Sequence, residues 1–303
     1  MLAGLLLIAA TANGQALPKP RVVALSERVH VLLGPIQHAN PANRGYMINS
    51  AVIVGDRGVI LVDSGGSAEV GRHIASAVRG ITDKPVTHVV NTHFHGDHYL
   101  GNVAFPDATI ISSETCREMV RQTGGEWLAL MRQSVGDSLP GTQPVPARVT
   151  YPDGSRTRTR IHGVPLVFWV PKASHTAGDL MVYLPEEKVL VAGDVLVNGV
   201  VPTLQDGFLK NWIGTLREIE ALGAAHFVPG HGGIMVRRDV IALREAMERF
   251  QAGVKRGVRA GLREDQIRPT LDLSGWERLE RSYVLGRNLN RAYLEAEADS
   301  FDE

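Results

Sequence analysis

Three histidines and an aspartate lie within six residues, directly after a short apolar segment. They are His93, His95, Asp97 and His98. The segment from Thr87 to Asn91 is predicted to be a strand, and alternate residues of an extended chain point to one side, so the first two histidines share a side. Gly96 allows a sharp backbone turn that brings the aspartate and the third histidine back toward them. Imidazole and carboxylate groups at this density are typical of a zinc or iron site, whereas magnesium and calcium prefer oxygen ligands.

One metal ion needs three or four ligands, so this cluster could supply parts of two sites. Three residues further along the chain lie where an apolar segment ends and a small residue permits close approach. They are His175, Asp194 and His231. Taken singly, each can equally be an ordinary turn residue. The other histidines lack this placement, although His38, in the loop from Gly34 to Gly45, could lie near the site and contact substrate.

The order of these residues resembles that of the metallo-β-lactamase superfamily, over about residues 25 to 235. Asp63, in Val62-Asp63-Ser64-Gly65, is similar to the first motif of that family, where the aspartate supports a ligand without binding metal. The resemblance implies an α/β fold, a four-layer αββα sandwich with a dinuclear site on one edge of its two packed sheets.

The same resemblance implies which residues bind each of two zinc ions, with iron as another possible metal. The first ion is bound by His93, His95 and His175. The second ion is bound by Asp97, His98 and His231. Asp194 bridges the two ions, and Asp97 also acts in catalysis by orienting the nucleophile and passing on its proton.

The function implied by this site is hydrolysis by a hydroxide that bridges the two metals, with an ester, thioester, lactone or lactam as the substrate bond. Hydrolysis of β-lactams is one alternative. The best-known lactamases have a cysteine where Asp194 stands and a lysine shortly after, and both are absent here. A mononuclear iron dioxygenase acting on persulfides, with His93, His175 and Asp194 as ligands, is another alternative. A non-catalytic metal-binding accessory protein is the third.

Several shorter stretches resemble a narrower subgroup, the zinc metallohydrolases associated with quinoprotein relay and sulfur-oxidation systems. They are Asn43-Arg44-Gly45, the turn Val62 to Gly66, Asp206-Gly207 before Trp212, and Asn290 to Leu294. The substrate of that subgroup is poorly defined, so this resemblance leaves the substrate open.

The composition excludes some partners and leaves others open. The 32 basic and 32 acidic residues cancel, so bulk charge favours neither nucleic acid nor an anionic membrane, and a small-molecule substrate is expected. Cys116 is the only cysteine, which excludes an internal disulfide and a thiolate metal cluster. Its neighbours predict a buried, inert thiol on a short helix rather than a nucleophile. The oligomeric state is left open.

Residues 1–20 differ from the rest of the chain and are interpreted as a signal or other N-terminal segment. Leu2 to Ala10 is apolar, and small residues at Ala10 and Ala12, or at Gly14 and Ala16, fit a cleavage site. The positive residues that normally precede such a segment are missing, and a buried strand is the alternative. Export would make the protein periplasmic or secreted; otherwise it is cytoplasmic. The segment is too short to span a bilayer, so no stable membrane insertion is expected.

The remaining chain is predicted to form one metallo-β-lactamase domain over residues 21–235, with residues 236–303 as a helical extension of the same domain. Trp276, Leu279, Tyr283 and Leu294 are predicted to lie on one helix that begins with a capping box at Ser274. Residues 124–160 are predicted to be the least regular part. Within them the alternation from Arg156 to Arg160 favours a solvated edge strand, with a binding role as the alternative.

Overall fold

The computed structural model describes residues 16–136 and 139–301. Within those ranges two β-sheets pack face to face, and helices cover both outer faces. This confirms the predicted four-layer αββα sandwich. The apolar segment Leu2 to Ala10, on which the signal prediction depends, lies outside the described residues. None of the helices in the described ranges is long and apolar enough to cross a membrane.

The first sheet contains seven strands in sequential order. They are β1 (Arg21–Ala24), β2 (Val29–Leu33), β3 (Ser50–Val54), β4 (Val59–Val62), β5 (Val86–Val90), β6 (Thr109–Ser113) and β7 (Val149–Tyr151). Strands β1 to β4 pair antiparallel, whereas β4 to β7 pair parallel. Because β4 and β5 are parallel, the residues that follow them emerge at the same edge of the sheet.

The second sheet contains five strands in the order β12-β11-β10-β9-β8. They are β8 (Arg156–Ile161), β9 (Val164–Trp169), β10 (Met181–Leu184), β11 (Val189–Val197) and β12 (His226–His231). Only the β11–β12 pair is parallel among these neighbouring strands. As predicted, the alternating arginines form an edge strand, β8, whose residues alternate between exposed and half-buried.

Seven α-helices lie in the described residues. They are α1 (Ala68–Arg79), α2 (Gly96–Tyr99), α3 (Glu114–Val135), α4 (Leu209–Glu220), α5 (Arg237–Arg259), α6 (Glu264–Ile267) and α7 (Leu285–Phe301). The apolar face of α1 packs on the outer face of the first sheet through Val70, Ile74 and Val78. Helix α4 packs on the outer face of the second sheet through Trp212 and Leu216, and helices α5 and α7 extend that layer.

Valine, leucine and isoleucine side chains from both sheets fill the space between them. Ile53 and Val62 of the first sheet share this core with Phe168, Val182 and Val191 of the second, and all five are buried. Removing such surface from water is the main favourable contribution to folding. The packed sheets therefore form a rigid support, and the segments that leave their shared edge carry the polar residues of interest.

Residues 124–135 are helical, so the prediction of an irregular segment is wrong for this stretch. They form the second half of α3, which buries Leu128, Met131 and Val135 on one face. Glycine within a helix is less stable than alanine by about 1 kcal/mol, so Gly124 and Gly125 indicated a non-helical segment in the sequence. Packing against Pro144 explains why Gly124 is there, because a Cβ would approach the Cβ of Pro144 to 2.7 Å.

Cys116 is buried in α3, as predicted, although the helix is long rather than short. Burial raises the pKa of its thiol far above the ordinary value. Since the thiolate is the reactive form, this thiol is inert near neutral pH.

The prediction of one helix from Ser274 to Leu294 is also wrong. Residues 271–281 form turns, and α7 begins only at Leu285. Gly275 has a φ of +92°, in the left-handed region that interrupts a right-handed helix. The backbone N–H of Ser274 donates to Asp272 Oδ1 at 3.0 Å, so Ser274 lies in a turn and caps no helix.

Strand β11 continues past the point where the sequence predicts its end. The predicted strand ends at Ala192, but β11 extends to Val197 and includes Asp194. A register shift in its pairing with β12 occurs at Gly193, whose φ is +53° and whose missing side chain leaves room for Thr92. Such a bulge redirects the next side chain. Asp194 therefore points toward the sheet edge from within a strand.

Candidate metal centre

Five histidines and two aspartates from four separate segments meet at one edge of the two sheets. They are His93, His95, Asp97, His98, His175, Asp194 and His231. The first four follow β5, His175 follows β9, Asp194 lies in β11, and His231 ends β12. All seven residues predicted from the sequence are thus brought together. Three overlapping groups of three among them place ligand atoms within 4.8 Å of one another and could each hold a metal ion.

The turn after β5 is formed by the short helix α2, whose first residue is Gly96. This glycine does not have a positive φ, so it is not needed for an unusual turn. Its contribution is space, because an added Cβ would lie 3.0 Å from a Leu100 side-chain carbon and 3.1 Å from Trp127 Cβ. The helix brings His98 back beside His93, with ring centroids 4.2 Å apart, as the sequence predicted.

One group of candidate ligands consists of His93, His95 and His175, all buried. The Nδ1 atom of His95 and the Nε2 atom of His175 are 3.1 Å apart. The Nε2 atom of His93 is buried without a hydrogen-bond partner. A buried polar atom without a partner is costly unless something else satisfies it, and a bound cation would do so.

A second group consists of Asp97, His98 and His231. The Nε2 atom of His231 is 3.3 Å from Asp97 Oδ2, and the Nε2 atom of His98 is 3.7 Å from the same oxygen. The His98 Nε2 atom is also buried without a hydrogen-bond partner. This group offers two nitrogens and an oxygen, a ligand set suited to zinc.

Asp194 forms the third group with His93 and His98, one residue from each of the other two groups. One of its oxygens, Oδ1, is 3.4 Å from His98 Nε2, and the other, Oδ2, is 3.3 Å from His231 Nε2 and 3.7 Å from His175 Nε2. Its Oδ1 atom is buried without a hydrogen-bond partner. A carboxylate in this position can offer one oxygen to each of two neighbouring cations.

Hydrogen bonds behind the candidate ligands determine which imidazole nitrogen carries the proton. The Nδ1–H of His98 donates to Asp63 Oδ2 at 2.8 Å, and the Nδ1–H of His231 donates to the carbonyl of Met47 at 2.8 Å. The Nε2–H of His95 donates to Asp206 at 2.9 Å. In each ring the other nitrogen faces the centre and can bind a metal ion when it carries no proton.

Thr92 extends the same arrangement to His93. Its hydroxyl donates to Asp63 Oδ2 at 2.8 Å, so it accepts from the Nδ1–H of His93 at 3.0 Å. Asp63 also accepts the backbone N–H of Thr92 at 2.8 Å and has a φ of 60°, a strained conformation for this residue. Four of the five imidazoles are therefore oriented as metal ligands by such partners, a common feature of metal sites.

Burial and neighbouring charges determine which of the candidate ligands carry a proton. Burial lowers the pKa of His175 to about 3 and that of His93 well below its usual range, so these rings are neutral and can bind metal. Burial opposes ionisation of Asp194, but His231 and His98 outweigh it and hold the pKa of that carboxyl well below its usual range. Burial opposes protonation of His98 and His231, but Asp97 and Asp194 outweigh it and raise the pKa of both rings, so a divalent cation would replace a proton on each of them.

Two residues near the centre were not predicted as site residues. Asp206 holds His95 in place across 111 positions of sequence, and the ring of Trp127 packs on His95 with centroids 4.7 Å apart. Asp206 lies in a loop before α4, where the resemblance of Asp206-Gly207 to the narrower subgroup was the only signal in the sequence. His38 lines a cavity of about 280 Å³ together with Asp97 and Trp127, so it lies near the site.

Replacing Asp206 with alanine should weaken zinc binding by about 10- to 100-fold, because losing a partner behind a ligand frees the ligand ring to rotate. Competition with a chelator of known affinity measures the change. Asp107→Ala removes an exposed carboxylate elsewhere and serves as the control. Equal zinc affinity of the Asp206 variant and the control would show that the His95 contact does not orient the ligand.

The family model described as "Metallo-beta-lactamase superfamily" matches residues 43–231 of this chain. The chain belongs to that superfamily. All seven candidate ligands lie within the matched residues, and His231 is the last residue of the match. The resemblance to the superfamily is therefore confirmed, and the narrower subgroup resemblance stays a prediction.

Two curated relatives show modest identity. The 2,4-dinitroanisole O-demethylase subunit alpha of Nocardioides sp. (strain JS1661) is 28% identical over 225 residues, covering 73% of this chain and 63% of the relative. The linear primary-alkylsulfatase of Pseudomonas sp. (strain ATCC 19151) is 25% identical over 256 residues, covering 71% of this chain and 48% of the relative. This chain thus spans only about half to two thirds of the length of these relatives.

Among solved structures, a stereoselective inverting sec-alkylsulfatase from Pseudomonas sp. matches with a TM-score of 0.68 and 18% identity. The match covers 90% of this chain and 50% of that one. At this identity the match supports the fold alone.

Proposed function

We propose that this protein is a dinuclear zinc hydrolase that cleaves an ester, thioester, lactone or lactam bond of a small molecule. The observation that carries the proposal is the convergence of imidazole lone pairs and two carboxylates on one buried centre, with Asp194 between the two ligand groups. When bound, two zinc ions would lower the pKa of a shared water toward neutrality and polarise the bond under attack.

Asp97 is the residue best placed to handle the proton. Its side chain is 14% exposed, whereas that of Asp194 is 6% exposed, so Asp97 is the carboxylate at the open side of the centre. The positive influence of His98 and His231 outweighs burial and holds the pKa of Asp97 below its ordinary value. An ionised carboxylate there can accept a hydrogen bond from the attacking water and orient it, and its lowered pKa means that it would pass the proton on rather than keep it.

The cavity beside Asp97 suits a small substrate. It measures about 280 Å³ and is lined by apolar and aromatic side chains, with Met47, Trp127 and Met131 among them. Concave sites of this kind bind small molecules through apolar walls and a few polar groups. An apolar part of the substrate would lie here while the bond to be cleaved reaches the centre.

The ligand arrangement favours a hydrolase over the iron dioxygenase. The dioxygenase alternative uses His93, His175 and Asp194 alone. In this structure Asp97 and His98 form a further group with His231, which one metal ion bound by the other three residues would leave unused. A site with two complete groups is better explained by two metal ions acting together.

A substrate panel tests the proposal. Zinc-loaded protein should hydrolyse at least one of nitrocefin, a homoserine lactone, a glutathione thioester, 4-nitrophenyl acetate or 4-nitrophenyl sulfate, and Asp97→Ala should lower that rate by about 100-fold or more. Asp107→Ala is the control. If zinc-loaded protein cleaves nothing, while iron-loaded protein consumes oxygen with glutathione persulfide, the dioxygenase alternative replaces the hydrolase.

A further inference from the structure

The guanidinium of Arg281 lies against the candidate metal centre. Its Nη2 atom is 3.2 Å from Nδ1 and 3.3 Å from Nε2 of His231. Since the Nδ1–H of His231 donates to Met47 and its Nε2 atom faces Asp97 and Asp194, neither nitrogen is free to accept an ordinary hydrogen bond from Arg281. Among the described residues no carboxylate forms an ion pair with Arg281. Its donors are therefore available.

The backbone holds this arginine in place. Arg281 has a φ of 64°, a conformation that costs energy for a residue with a side chain. The preceding carbonyl, that of Glu280, accepts the N–H of Val201 at 2.9 Å, and the carbonyl of Arg281 accepts the N–H of Val284 at 3.0 Å. The segment is tied to the main domain although it belongs to the C-terminal part of the chain, outside residues 43–231 of the family match.

A cation beside a metal ligand needs an anion to make the arrangement favourable. Two divalent ions would balance the four carboxylates of Asp63, Asp97, Asp194 and Asp206, so Arg281 leaves one positive charge over. Guanidinium binds carboxylate or sulfate oxygens through paired hydrogen bonds in a fixed fork. An oxyanion on the substrate would complete this charge balance and orient the adjacent bond toward the centre.

Aromatic and apolar side chains lie beside this cation. The rings of His38 and Tyr283 are in edge contact with centroids 4.9 Å apart, and Tyr283 is 63% exposed. His38 also lines the cavity beside Asp97, together with Leu130, which is 52% exposed. The open side of the centre thus combines one unpaired cation with an apolar wall, which suits a ligand that has an anionic end and an apolar body.

We propose that Arg281 is the substrate-recognition residue and that the substrate is an anion with an apolar body, whose carboxylate or sulfate group lies next to the bond that is cleaved. This inference rests on the proposed hydrolase function, because a recognition residue presupposes a substrate that is cleaved. Its binding test requires no turnover, so the two proposals can fail separately.

Titration calorimetry of zinc-loaded protein tests the inference with octanoate, octanesulfonate and neutral octanamide. Wild-type protein should bind one or both anions at least about tenfold more tightly than the amide, as charge-assisted hydrogen bonds predict. Arg281→Ala should lose that preference, and Arg281→Lys should retain part of it. Arg278→Ala removes an exposed arginine from the same segment and should bind like wild type. The anion that is preferred distinguishes a carboxylate from a sulfate substrate.

The second measurement is the steady-state kinetics of any ester that the substrate panel shows to be hydrolysed. For an anionic ester, Arg281→Ala should raise KM about tenfold or more while kcat and zinc content change little, since uniform binding is lost. Equal binding of anion and amide by wild type, or unchanged anion affinity in Arg281→Ala, would overturn the inference. Anion binding that depends on Arg281 without any hydrolysis would overturn the proposed function and leave this inference standing.

Discussion

Replacing Asp194 with alanine should lower the rate of hydrolysis by about 10³-fold or more and reduce zinc content to one ion per chain or fewer. The side chain lies between the two ligand groups, with one oxygen 3.4 Å from His98 Nε2 and the other 3.7 Å from His175 Nε2. Its removal takes one negative charge from a centre that must hold two cations close together. Elemental analysis measures the zinc content. The rate of hydrolysis is measured with the substrate of the panel that the wild-type protein cleaves fastest.

Two comparisons make this result interpretable. Asp107→Ala should keep full activity and zinc content, since its carboxylate is exposed and remote from the ligands. The fold of the Asp194 variant should persist, because the strand that carries it is held by paired neighbours on both sides. A folded Asp194→Ala protein with unchanged zinc content would contradict the bridging position.

Removing the metal should destabilise the protein strongly. Without a cation, His93 Nε2, His98 Nε2 and Asp194 Oδ1 are buried with no hydrogen-bond partner. A ligand present at 1,000 times its dissociation constant stabilises the folded state by about 4 kcal/mol per site. For a chain of 303 residues each kcal/mol raises Tm by about 1.5–2 °C, so excess zinc should raise Tm by about 6–8 °C per site.

Differential scanning calorimetry of chelator-treated protein, with and without added zinc, measures this shift. Magnesium is the matched control, because it prefers oxygen ligands and should restore little of the stability. A Tm that does not respond to zinc, or that responds equally to magnesium, would contradict a nitrogen-rich metal centre.

The ligand positions could be predicted because strand ends and small residues mark them in the sequence. Parallel pairing of β4 with β5 places Asp63 beside Thr92, and the end of β12 places His231 near β11. These relations follow from sheet geometry, which is local and regular. The bulge at Gly193 is less regular. The sequence therefore predicts that the strand ends before Asp194, whereas Asp194 lies within it.

The residues around the ligands could not be predicted, because loops that are distant in sequence carry them. Asp206 reaches His95 from a loop with no periodic pattern, and Arg281 reaches His231 from a segment predicted to be helical. Tertiary packing also overrode local propensity in α3, where Gly124 is retained beside Pro144. Such contacts depend on how whole layers dock, which spacing along the chain does not encode.

The zinc content of wild-type protein tests the central claim most directly. Protein stripped with a chelator, reloaded with excess zinc and desalted should retain about two zinc ions per chain, as two ligand groups joined by a carboxylate require. Elemental analysis against protein concentration gives this ratio. Retention of no zinc, of a single zinc ion, or of one iron in its place would contradict the dinuclear centre.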